Sequence, residues 1–522
     1  MLVKNIVERN ARYFADREAV VEPSGRCVTW SQLEGRSNRL AASLLDLGLA
    51  KGDRLAMYSG NCAEYLEFFF ACAKTGIVGQ ALNGRLSPRE LEGYVTDVGP
   101  EALVVGRGFD PAAAELVDRT SSIKTTVGLD QGTSCTHAYE PLLAAYPAAD
   151  PGCRIESSDP YQICSTSGTT GRLKGAVHTN ASVMAAIFTY LAELPTRQGD
   201  TNLQNIPFYF NSGGPASLSP VLVLGGRSVL PEAFEARSFL EAVARYRVTH
   251  TTLVPTMLNM VLDEEGIEDT DVSSLRVLIM GGSPLSRDLL VRGREAFGDV
   301  FHPFYGMAES ASTGAVLRTE DQRPHGTPEE VARLGSAGRP MASTEIRVVG
   351  DGGDEVRWDG ETPGEVWLAG DTLFTEYFDQ PEETESAFEG RWFKSGDIAT
   401  VDGDGFFTIV DRVKDIIISG GINVFSREVE DALLTHEGIA EVAVIGVPDE
   451  RWGERVHAVV VRALGATQVD EDAVKAHAAN LLADYKRPRS VEFRDSLPVS
   501  STGKLLKRKL RKPYWEEAGR RL

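Results

Sequence analysis

The sequence has few cysteines: six in 522 residues, with no C-x-x-C pair among them. This scarcity argues against a disulfide framework and predicts buried free thiols in a reducing compartment. Residues 1–20 carry charges throughout and lack the apolar core of a signal peptide. Together these absences predict a cytoplasmic protein.

Long hydrophobic runs are also missing. The most apolar stretch, residues 66–82, is interrupted by Glu67, Lys74 and Gln80. These polar side chains favour a buried helix that leads into a strand over a membrane span. The sequence therefore predicts no stable membrane insertion.

An excess of positive charge is absent: 54 Lys and Arg against 75 Asp and Glu give a formal net charge of -21. This balance argues against a nucleic-acid partner bound through a general basic surface. It leaves room for a local basic pocket for a phosphorylated ligand, because net charge describes solubility more than individual sites. The length predicts roughly three or four domain-sized units, and 42% hydrophobic residues suffice for substantial cores.

Helical and strand-like patterns alternate up to residue 400. Leu40, Leu44 and Leu47 lie on one face of a predicted helix, and RVLIMGG at 276–282 is typical of a strand that ends at glycine. The alternation predicts an α/β fold with largely parallel sheets. After residue 400, a hairpin with a DG turn, a charged break at 411–415 and a compact α+β unit follow. A domain boundary is predicted at this break.

The stretch STSGTTGRLKG at 165–175 follows the β-like run YQIC and is typical of a phosphate-binding loop. Gly168 and Gly171 allow positive φ, so that successive backbone N–H groups can point into one concavity. Hydroxyl side chains add donors, and Lys174 adds a positive charge. Gly175 stands where a Walker A loop requires Ser or Thr, which excludes that motif. On composition alone, a solvated loop is the alternative.

Further motifs follow in order along the chain. They are FYGMAES at 304–310, a long segment at 391–430 that contains RWFKSGD and DRVKD, and PVSSTGKLLKRKL at 498–510. With the loop at 165–175, they resemble the adenylate-forming superfamily of acyl-CoA synthetases, nonribosomal peptide adenylation domains and luciferases. The segments TWSQL, GDRLAMYSGN and LNGRLSPREL near the N-terminus extend the resemblance to nearly the whole chain.

The resemblance implies a large multi-subdomain N-terminal domain, residues 1–413, and a small mobile α+β C-terminal domain, residues 414–522, with a hinge at Lys414. It also implies a reaction in which a carboxylic acid and ATP give an acyl-adenylate, whose acyl group a thiol then takes. The first step brings anions together, so Mg²⁺, a phosphate loop and a lysine are needed to neutralise charge. The implied ligands are ATP or acyl-AMP, Mg²⁺ and coenzyme A. A homodimer is an alternative that the sequence leaves open.

The resemblance assigns catalytic roles position by position. Glu309 would hold Mg²⁺, Lys174 would bind the β- and γ-phosphates, and Lys504 would bridge the carboxylate and the α-phosphate. Without the resemblance, Lys504 is typical of a solvated basic tail. Asp397 would accept both ribose hydroxyls, with Arg412 beside the same sugar. The implied ATP and AMP site comprises Ser165, Thr166, Ser167, Gly168, Thr169, Thr170, Gly171, Gly282, Ser283, Phe304, Tyr305, Gly306, Met307, Ala308, Asp397, Ile409 and Arg412.

The segment YKRPR at 485–489 predicts a nucleotide pocket. Pro488 favours an extended Arg487, and the two-residue spacing then points Arg487 and Arg489 to the same side. Two guanidinium groups beside Tyr485 suit a phosphorylated adenine nucleotide such as that of coenzyme A. A surface basic cluster is the alternative. The resemblance adds four coenzyme A residues: Arg85, Gly420, Gly421 and Trp452.

The acid pocket is expected at QNIPFYFNSGG (204–214), GGSP (281–284) and the YGMA segment. The first stretch has no Asp or Glu, so it offers no anchor for an amino-acid ammonium group. Its glycines permit a roomy, mostly apolar cavity, which favours a sizeable lipophilic acid of the fatty, aryl or terpenoid kind. The predicted acyl-binding residues are Phe210, Asn211, Gly213, Gly214, Gly281 and Met307.

Three residues depart from the family pattern on the adenylation side. Ala308 replaces a threonine, Leu173 replaces a proline before the loop lysine, and Phe210 replaces a histidine. Loss of one preorganised donor costs roughly 3–4 kcal/mol of transition-state stabilisation. The departures suggest, as an alternative to full two-step acyl-CoA ligase activity, an enzyme that only thioesterifies a supplied acyl-AMP. A separate alternative is an adenylating enzyme that loads an acyl carrier protein. A binding protein without catalysis is disfavoured because the catalytic set is present.

Overall fold

The computed structural model describes residues 1–167, 173–214, 220–283, 285–466, 468–499 and 505–518. The chain divides into two compact units. The first unit comprises Met1–Ile346 and Leu368–Phe393, and the second comprises Arg347–Trp367 and Lys394–Leu522. Compactness does not locate a hinge, so the domain boundary at residue 414 stays a prediction.

The strands are numbered in chain order through both units. They are β1 (Glu18–Val21), β2 (Cys27–Thr29), β3 (Arg54–Tyr58), β4 (Val78–Leu82), β5 (Ala102–Val105), β6 (Thr125–Gly128), β7 (His137–Ala138), β8 (Pro160–Ser167), β9 (Leu173–Thr179), β10 (Thr201–Leu203), β11 (Arg227–Val229), β12 (His250–Leu253), β13 (Val277–Met280), β14 (Phe301–Gly306), β15 (Gly314–Val316), β16 (Arg339–Pro340), β17 (Thr344–Val349), β18 (Gly364–Gly370), β19 (Glu376–Tyr377), β20 (Phe388–Glu389), β21 (Trp392–Val401), β22 (Phe407–Arg412), β23 (Ile417–Ser419), β24 (Ile422–Val424), β25 (Ile439–Asp449), β26 (Gly453–Arg462) and β27 (Ser490–Phe493).

The α-helices are interspersed with these strands. They span Lys4–Tyr13, Trp30–Asp46, Ala63–Thr75, Pro88–Val98, Asp110–Arg119, Tyr139–Ala144, Asn180–Glu193, Ala236–Tyr246, Pro255–Leu262, Arg287–Phe297, Pro328–Ala332, Pro381–Ala387, Ser426–Leu434, Glu471–Leu481 and Lys507–Glu517.

Two large sheets organise the first unit. Within the described residues, one has the strand order β16-β15-β14-β13-β12-β10-β11-β1-β2 and the other β19-β9-β8-β4-β3-β5-β6-β7. The central neighbours in both sheets are parallel, as in the pairs β12 with β13 and β3 with β4. Helices lie between successive parallel strands, because such strands need a crossover connection. The predicted α/β fold with mostly parallel sheets is confirmed.

The apolar stretch at 66–82 forms a buried helix and a strand, as predicted. Helix Ala63–Thr75 is buried on all sides and ends at Gly76, whose φ of 74° is left-handed. Its charged residues are paired: Glu67 with Arg36 at 2.6 Å and Lys74 with Glu34 at 3.0 Å. None of the helices in the described part of the chain has both the length and the apolar character that crossing a membrane requires.

The six cysteines, all within the described residues, are free. The prediction that they are buried is wrong as a general statement, because only Cys62 and Cys72 are buried and Cys27 is exposed. Cys27 begins β2, the outer strand of its sheet. Successive side chains of a strand point to opposite faces, and in β2 it is Val28 that faces the core, so Cys27 points to the solvent side.

The second unit has its own sheet and core. Strand β25 pairs with β26, which also pairs with β23 and β27. Val429, Val444 and Val474 join a cluster of buried aliphatic side chains from this sheet and from helices Ser426–Leu434 and Glu471–Leu481. The smaller α+β unit predicted near the C-terminus is confirmed.

Candidate active site

The two ends of the predicted phosphate loop lie opposite each other. Strand β8 pairs with β9 in antiparallel fashion, and Thr166 faces Lys174 in this register, next to the pair Ser165 and Gly175. The hairpin therefore brings a hydroxyl residue from one end of the loop beside the lysine from the other end. Between them, outside the described residues, lie Gly168, Thr169, Thr170, Gly171 and Arg172.

Leu173 begins strand β9 opposite Ser167. Its partly buried side chain packs against a hydrophobic cluster that includes Ile163 and Val177. Where the family pattern has proline, this chain therefore has an apolar side chain that anchors the C-terminal end of the loop to the sheet.

Glu309 lies in a tight turn after β14, in the 3-10 helix Ala308–Ser310. Its carboxylate accepts a hydrogen bond from the Tyr377 hydroxyl at 3.0 Å, and its backbone carbonyl accepts one from the N–H of Phe374 at 2.7 Å. Ala311 follows with a φ of 50°, in the left-handed region that side chains rarely adopt. The strained turn is thus held by a segment distant in sequence.

The backbone carbonyl of Ala308 accepts two side-chain hydrogen bonds. His178 Nε2 lies 2.7 Å from this oxygen and Asn211 Nδ2 lies 3.2 Å from it. Burial lowers the pKa of His178 to about 4, so the imidazole is neutral near pH 7 and donates from Nε2. The main chain at Ala308 is therefore fixed although its side chain has no hydroxyl.

Lys174 lies between an aromatic ring and a carboxylate. Its Nζ atom is 4.7 Å from the centre of the Tyr377 ring and 2.5 Å from the carboxylate of Glu383. Strand β19 carries Tyr377 and pairs with β9. Burial and the charge of Glu309 raise the pKa of Tyr377, so its hydroxyl stays protonated and donates to that carboxylate.

Three residues at this site were not predicted from the sequence: His178, Tyr377 and Glu383. His178 could have been found from strand periodicity, because it follows Lys174 by four positions on the same face of β9. Tyr377 and Glu383 carried no such signal, since Glu383 lies 209 positions from Lys174 in the chain.

Three of the predicted acyl-binding residues, Phe210, Asn211 and Gly214, line one cleft, whose empty volume of about 290 Å³ includes space open to solvent. Phe69 and Phe208, with ring centres 5.9 Å apart, form an aromatic wall. The other lining residues are Gly79, Ala81, Gln162, Ile163, Cys164 and Tyr209. Predicted acyl-binding residues that this lining does not include are Gly213, Gly281 and Met307.

The predicted ribose pair lies in the second unit. Strands β21 and β22 form the hairpin expected from the DG turn, and Asp397 faces Arg412 in their register. Arg412 Nε is 3.0 Å from a carboxylate oxygen of Asp397. Asp397 is buried, with 5% of its surface exposed. Ile409 lies in the same hairpin opposite Ala399. Folding thus brings the predicted pair into direct contact.

The predicted hinge residue Lys414 lies in the turn Val413–Asp415. Its backbone carbonyl accepts a hydrogen bond from Arg511 Nη1 at 3.0 Å. Burial and the neighbouring charge of Arg412 lower the pKa of Lys414. Arg511 belongs to helix Lys507–Glu517, so the C-terminal helix is tied to the segment in which the hinge is predicted.

The predicted coenzyme A residues of the second unit form two groups. In the first, Gly420 and Gly421 form the turn between β23 and β24, with φ of 62° and 80°. The N–H of Gly420 donates to the carbonyl of Trp452 at 2.7 Å. A Cβ atom at Gly420 would lie 2.7 Å from the Trp452 ring, so both φ and space require glycine there.

The second group surrounds Asp484. Arg489 lies 2.8 Å and Arg487 3.7 Å from the Asp484 carboxylate, with Tyr485 next in sequence. Arg487 has φ -71° and ψ 138°, the extended conformation predicted from Pro488. Both guanidinium groups approach the same carboxylate.

The remaining predicted residues are distributed as follows. Lys504 lies outside the described residues. Arg85 is exposed, and its charge partly offsets the rise that burial causes in the pKa of Tyr209. Strand β14 carries Phe304, Tyr305 and Gly306. The parallel strand β13 leads into Gly281, Gly282 and Ser283.

Family profiles match most of the chain. One described as AMP-binding enzyme covers residues 7–378, and one described as AMP-binding enzyme C-terminal domain covers residues 428–504. A feruloyl-CoA synthase from Amycolatopsis sp is 36% identical over 506 residues, which are 97% of this chain and 98% of that protein. The long-chain-fatty-acid–CoA ligase FadD13 from Mycobacterium tuberculosis is 34% identical over 505 residues, 95% of each chain.

The chain is also similar to a relative whose name gives an acyl carrier protein, in place of coenzyme A, as the acceptor of the acyl group. The fatty acid–[acyl-carrier-protein] ligase ScoC from Streptomyces coeruleorubidus is 33% identical over 503 residues, 95% of this chain and 94% of that protein. Among solved structures, ATP-bound MatB from Rhodopseudomonas palustris has a TM-score of 0.87 and 28% identity, with 98% of this chain and 99% of that chain covered.

Proposed function

This chain belongs to the family of AMP-binding enzymes, as an AMP-forming acid–thiol ligase, and we propose that it makes the coenzyme A thioester of a lipophilic carboxylic acid. In the first step a carboxylate oxygen bonds to the α-phosphorus of ATP and pyrophosphate leaves. In the second step the thiolate of coenzyme A bonds to the acyl carbon and AMP leaves. The free cysteines accord with a reducing compartment, and we place the enzyme in the cytoplasm.

The arrangement around Tyr377 is the observation that carries the proposal. One side chain touches both Lys174, at the end of the predicted phosphate loop, and Glu309, in the FYGMAES turn. ATP with its metal ion needs a positive group for the phosphate oxygens and an oxygen ligand for the metal. Lys174 and Glu309 supply such a cation and such a carboxylate on either side of Tyr377.

Magnesium fits the carboxylate of Glu309. Mg²⁺ prefers oxygen ligands and is usually held by one or two carboxylates together with substrate phosphates. Over the ranges that the structure describes, no group of three or more His, Cys, Asp and Glu side chains could hold a metal by itself, which agrees with a site shared with the substrate. Bound Mg²⁺ would supply charge neutralisation at the phosphates.

Each remaining group has a role in holding the reactants. We assign Lys174 to the β- and γ-phosphates and Lys504 to the α-phosphate and the attacking carboxylate, where developing negative charge needs a cation. Asp397 accepts hydrogen bonds from the ribose hydroxyls, and Arg412 fixes that carboxylate from 3.0 Å away. A carboxylate accepts from two hydroxyls without itself needing a proton.

Coenzyme A is assigned to the second step. Arg487 and Arg489, both oriented by Asp484, suit the phosphates of its nucleotide, because guanidinium groups bind phosphate through paired hydrogen bonds. We assign the turn at Gly420 and Gly421, with Trp452 packed on it, to the pantetheine arm. A lysine hinge at residue 414 belongs to the same proposal.

Ala308 favours a second candidate function, thioesterification of an acyl-AMP supplied by another enzyme. The missing hydroxyl removes one donor for the phosphate, and Leu173 and Phe210 depart from the family pattern in the same half-reaction. We keep the two-step reaction as the main proposal, because His178 and Asn211 still hold the main chain at Ala308. Loading of an acyl carrier protein is the third candidate and draws on the name of the relative ScoC.

Two assays run in parallel test these candidates with a panel of fatty, aryl and terpenoid acids. The first measures acid-dependent exchange of pyrophosphate into ATP, and the second measures thioester formation from a synthetic acyl-AMP with either coenzyme A or a holo-carrier protein. We expect exchange with at least one acid and a preference for coenzyme A. Thioester formation without exchange would select the supplied-adenylate function, and a preference for the holo-carrier would select the third candidate. Failure of both assays would contradict the ligase proposal.

A further inference from the structure

The proposed function uses Lys174 and Glu309 but gives no role to the residue that joins them. Tyr377 is 7% exposed. Its hydroxyl donates to Glu309 at 3.0 Å, and its ring lies 4.7 Å from the ammonium nitrogen of Lys174. We propose that Tyr377 is a positioning residue for adenylation: its hydroxyl orients the metal-facing carboxylate and its ring supports the phosphate-facing lysine. This inference rests on the proposed function.

The backbone of Tyr377 is fixed on both sides. Within the antiparallel pair of β19 and β9, the N–H of Thr375 donates to Val177 O at 2.9 Å and that of Phe378 to Gly175 O at 2.8 Å. The N–H of Tyr377 itself donates to Thr384 Oγ1 at 3.0 Å. Because β9 also carries Lys174, the ring and the ammonium group are held by a single hydrogen-bonded ribbon.

The same segment holds Glu309 twice. Phe374 donates its N–H to the backbone carbonyl of Glu309, three residues before Tyr377 donates to the carboxylate. The Phe374 ring packs 4.7 Å from the Tyr377 ring and 5.4 Å from that of Phe388. This aromatic packing limits the rotamers of Tyr377, so the hydroxyl meets one oxygen of the carboxylate in a defined geometry and the other oxygen can face a metal.

Two substitutions separate the two contacts. Tyr377→Phe removes the hydroxyl and keeps the ring, whereas Tyr377→Leu removes both. A matched control is Tyr139→Phe in the same unit: the buried Tyr139 hydroxyl donates to Glu67 at 2.7 Å, a tyrosine–carboxylate contact of the same kind within the helical packing. The control loses an equivalent hydrogen bond without touching the proposed site.

The primary readout is binding of Mn²⁺ to the full-length enzyme with a non-hydrolysable ATP analogue, measured by electron paramagnetic resonance. We expect Tyr377→Phe to weaken Mn²⁺ binding about tenfold, as is typical when the hydrogen-bond partner of a metal-facing carboxylate is lost. Tyr139→Phe should stay within about twofold of the unsubstituted enzyme, as for a change remote from the site. Tyr377→Leu should also weaken binding of the analogue without metal.

A second readout measures the two half-reactions separately. In pyrophosphate exchange, the Mg²⁺ concentration for half-maximal rate should rise about tenfold in Tyr377→Phe, while thioester formation from supplied acyl-AMP should be unchanged. Equal losses in both half-reactions, or equal effects of Tyr139→Phe, would show a merely structural role and overturn the inference.

The Mn²⁺ measurement needs no acid, so it separates this inference from the proposed function. If the enzyme binds Mn²⁺ and the analogue but exchanges no pyrophosphate, adenylation is contradicted. The Mn²⁺ affinities of the Tyr377 variants then still test the positioning role. An unchanged Mn²⁺ affinity in Tyr377→Phe would overturn the inference while leaving the ligase proposal intact. Lack of metal-dependent binding in the unsubstituted enzyme would overturn both.

Discussion

Two groups of residues are assembled in opposite ways: the cluster of Lys174, Glu309, Tyr377 and Glu383 in the first unit, and the pair of Asp397 and Arg412 in the second unit. Lys174 and Glu383 meet across 209 positions of sequence, and Glu309 and Tyr377 across 68. Asp397 and Arg412 face each other across one hairpin. The hairpin pair depends on local structure, whereas the cluster depends on the packing of a whole unit. The cluster is assigned to the phosphates that leave as pyrophosphate, and the pair to the ribose of the adenylate. We therefore expect changes in the cluster to act on the first half-reaction and changes in the pair to act on both.

The largest effect is expected at the hairpin pair. Asp397→Ala removes the carboxylate assigned to the ribose and leaves Arg412 without its partner at 3.0 Å. Because the adenylate must be held in both steps, both half-reactions should fall roughly 100-fold, the equivalent of about 3 kcal/mol for lost hydrogen bonds to a charged group. Pyrophosphate exchange and thioester formation from acyl-AMP are measured separately.

Asp404→Ala, in the exposed turn of the same hairpin, is the control and should change both rates by about twofold or less. If Asp397→Ala lost only pyrophosphate exchange, the role of Asp397 in both steps would be contradicted. Both groups of residues would then act on the first half-reaction alone.

The next effect concerns stability in acid. Burial lowers the pKa values of His178, His250 and His302, all in the first unit, to about 4. Between that value and the ordinary value near 6.5, the unfolded chain binds more protons than the folded one, so stability falls as the pH falls. From pH 7 to pH 5 the loss should be about 2 kcal/mol for each histidine.

Hydrogen exchange corrected for intrinsic rates measures this loss in each unit. Peptides that cover β9 and β12 to β14 should lose more protection between pH 7 and pH 5 than peptides that cover β25 and β26, where burial lowers the pKa of a single histidine, His457. Equal losses in both units would contradict the assignment to these histidines.

The substitution Ala308→Thr tests whether the missing hydroxyl limits adenylation. The substitution restores a hydroxyl at a position whose main chain is already fixed by His178 and Asn211. Exchange should rise about tenfold, somewhat less than a fully optimised donor contributes, with no change in thioester formation from acyl-AMP. Ala308→Val has nearly the same shape without the hydroxyl, so an equal gain in this variant would show that packing is responsible.

The smallest effect is expected at Glu383. Its carboxylate, 47% exposed, pairs with Lys174 at 2.5 Å and would compete with the phosphates of ATP. Because solvent around the half-exposed Glu383 screens its ion pair with Lys174, Glu383→Gln should lower the apparent KM for ATP only about threefold. Glu382→Gln, at the neighbouring exposed position, is the control. A higher KM in Glu383→Gln would instead assign this carboxylate a role in binding the metal.

The fold class followed from local patterns. Alternating helices and strands predicted parallel sheets, and the polar interruptions at Glu67 and Lys74 predicted a buried helix within 66–82 in place of a membrane span. The structure forms this helix at Ala63–Thr75. The DG turn predicted the β21–β22 hairpin, which brings Asp397 and Arg412 together. The burial of the cysteines was predicted wrongly, because exposure of Cys27 depends on which face of strand β2 it occupies, and Val28 occupies the buried face.

The kinds of functional group could be predicted from the sequence: which residues supply cations, carboxylates and glycine turns, and the order in which their motifs occur. The partners of Lys174, Glu309 and Ala308 depended on tertiary structure, whereas Asp397 and Arg412 are paired within one hairpin. Tyr377 reaches both Lys174 and Glu309 because β19 pairs with β9 from far along the chain, and His178 reaches Ala308 through the packing of that strand against the turn. Such contacts cannot be read from spacing, because sheet pairing joins segments whatever their separation in sequence.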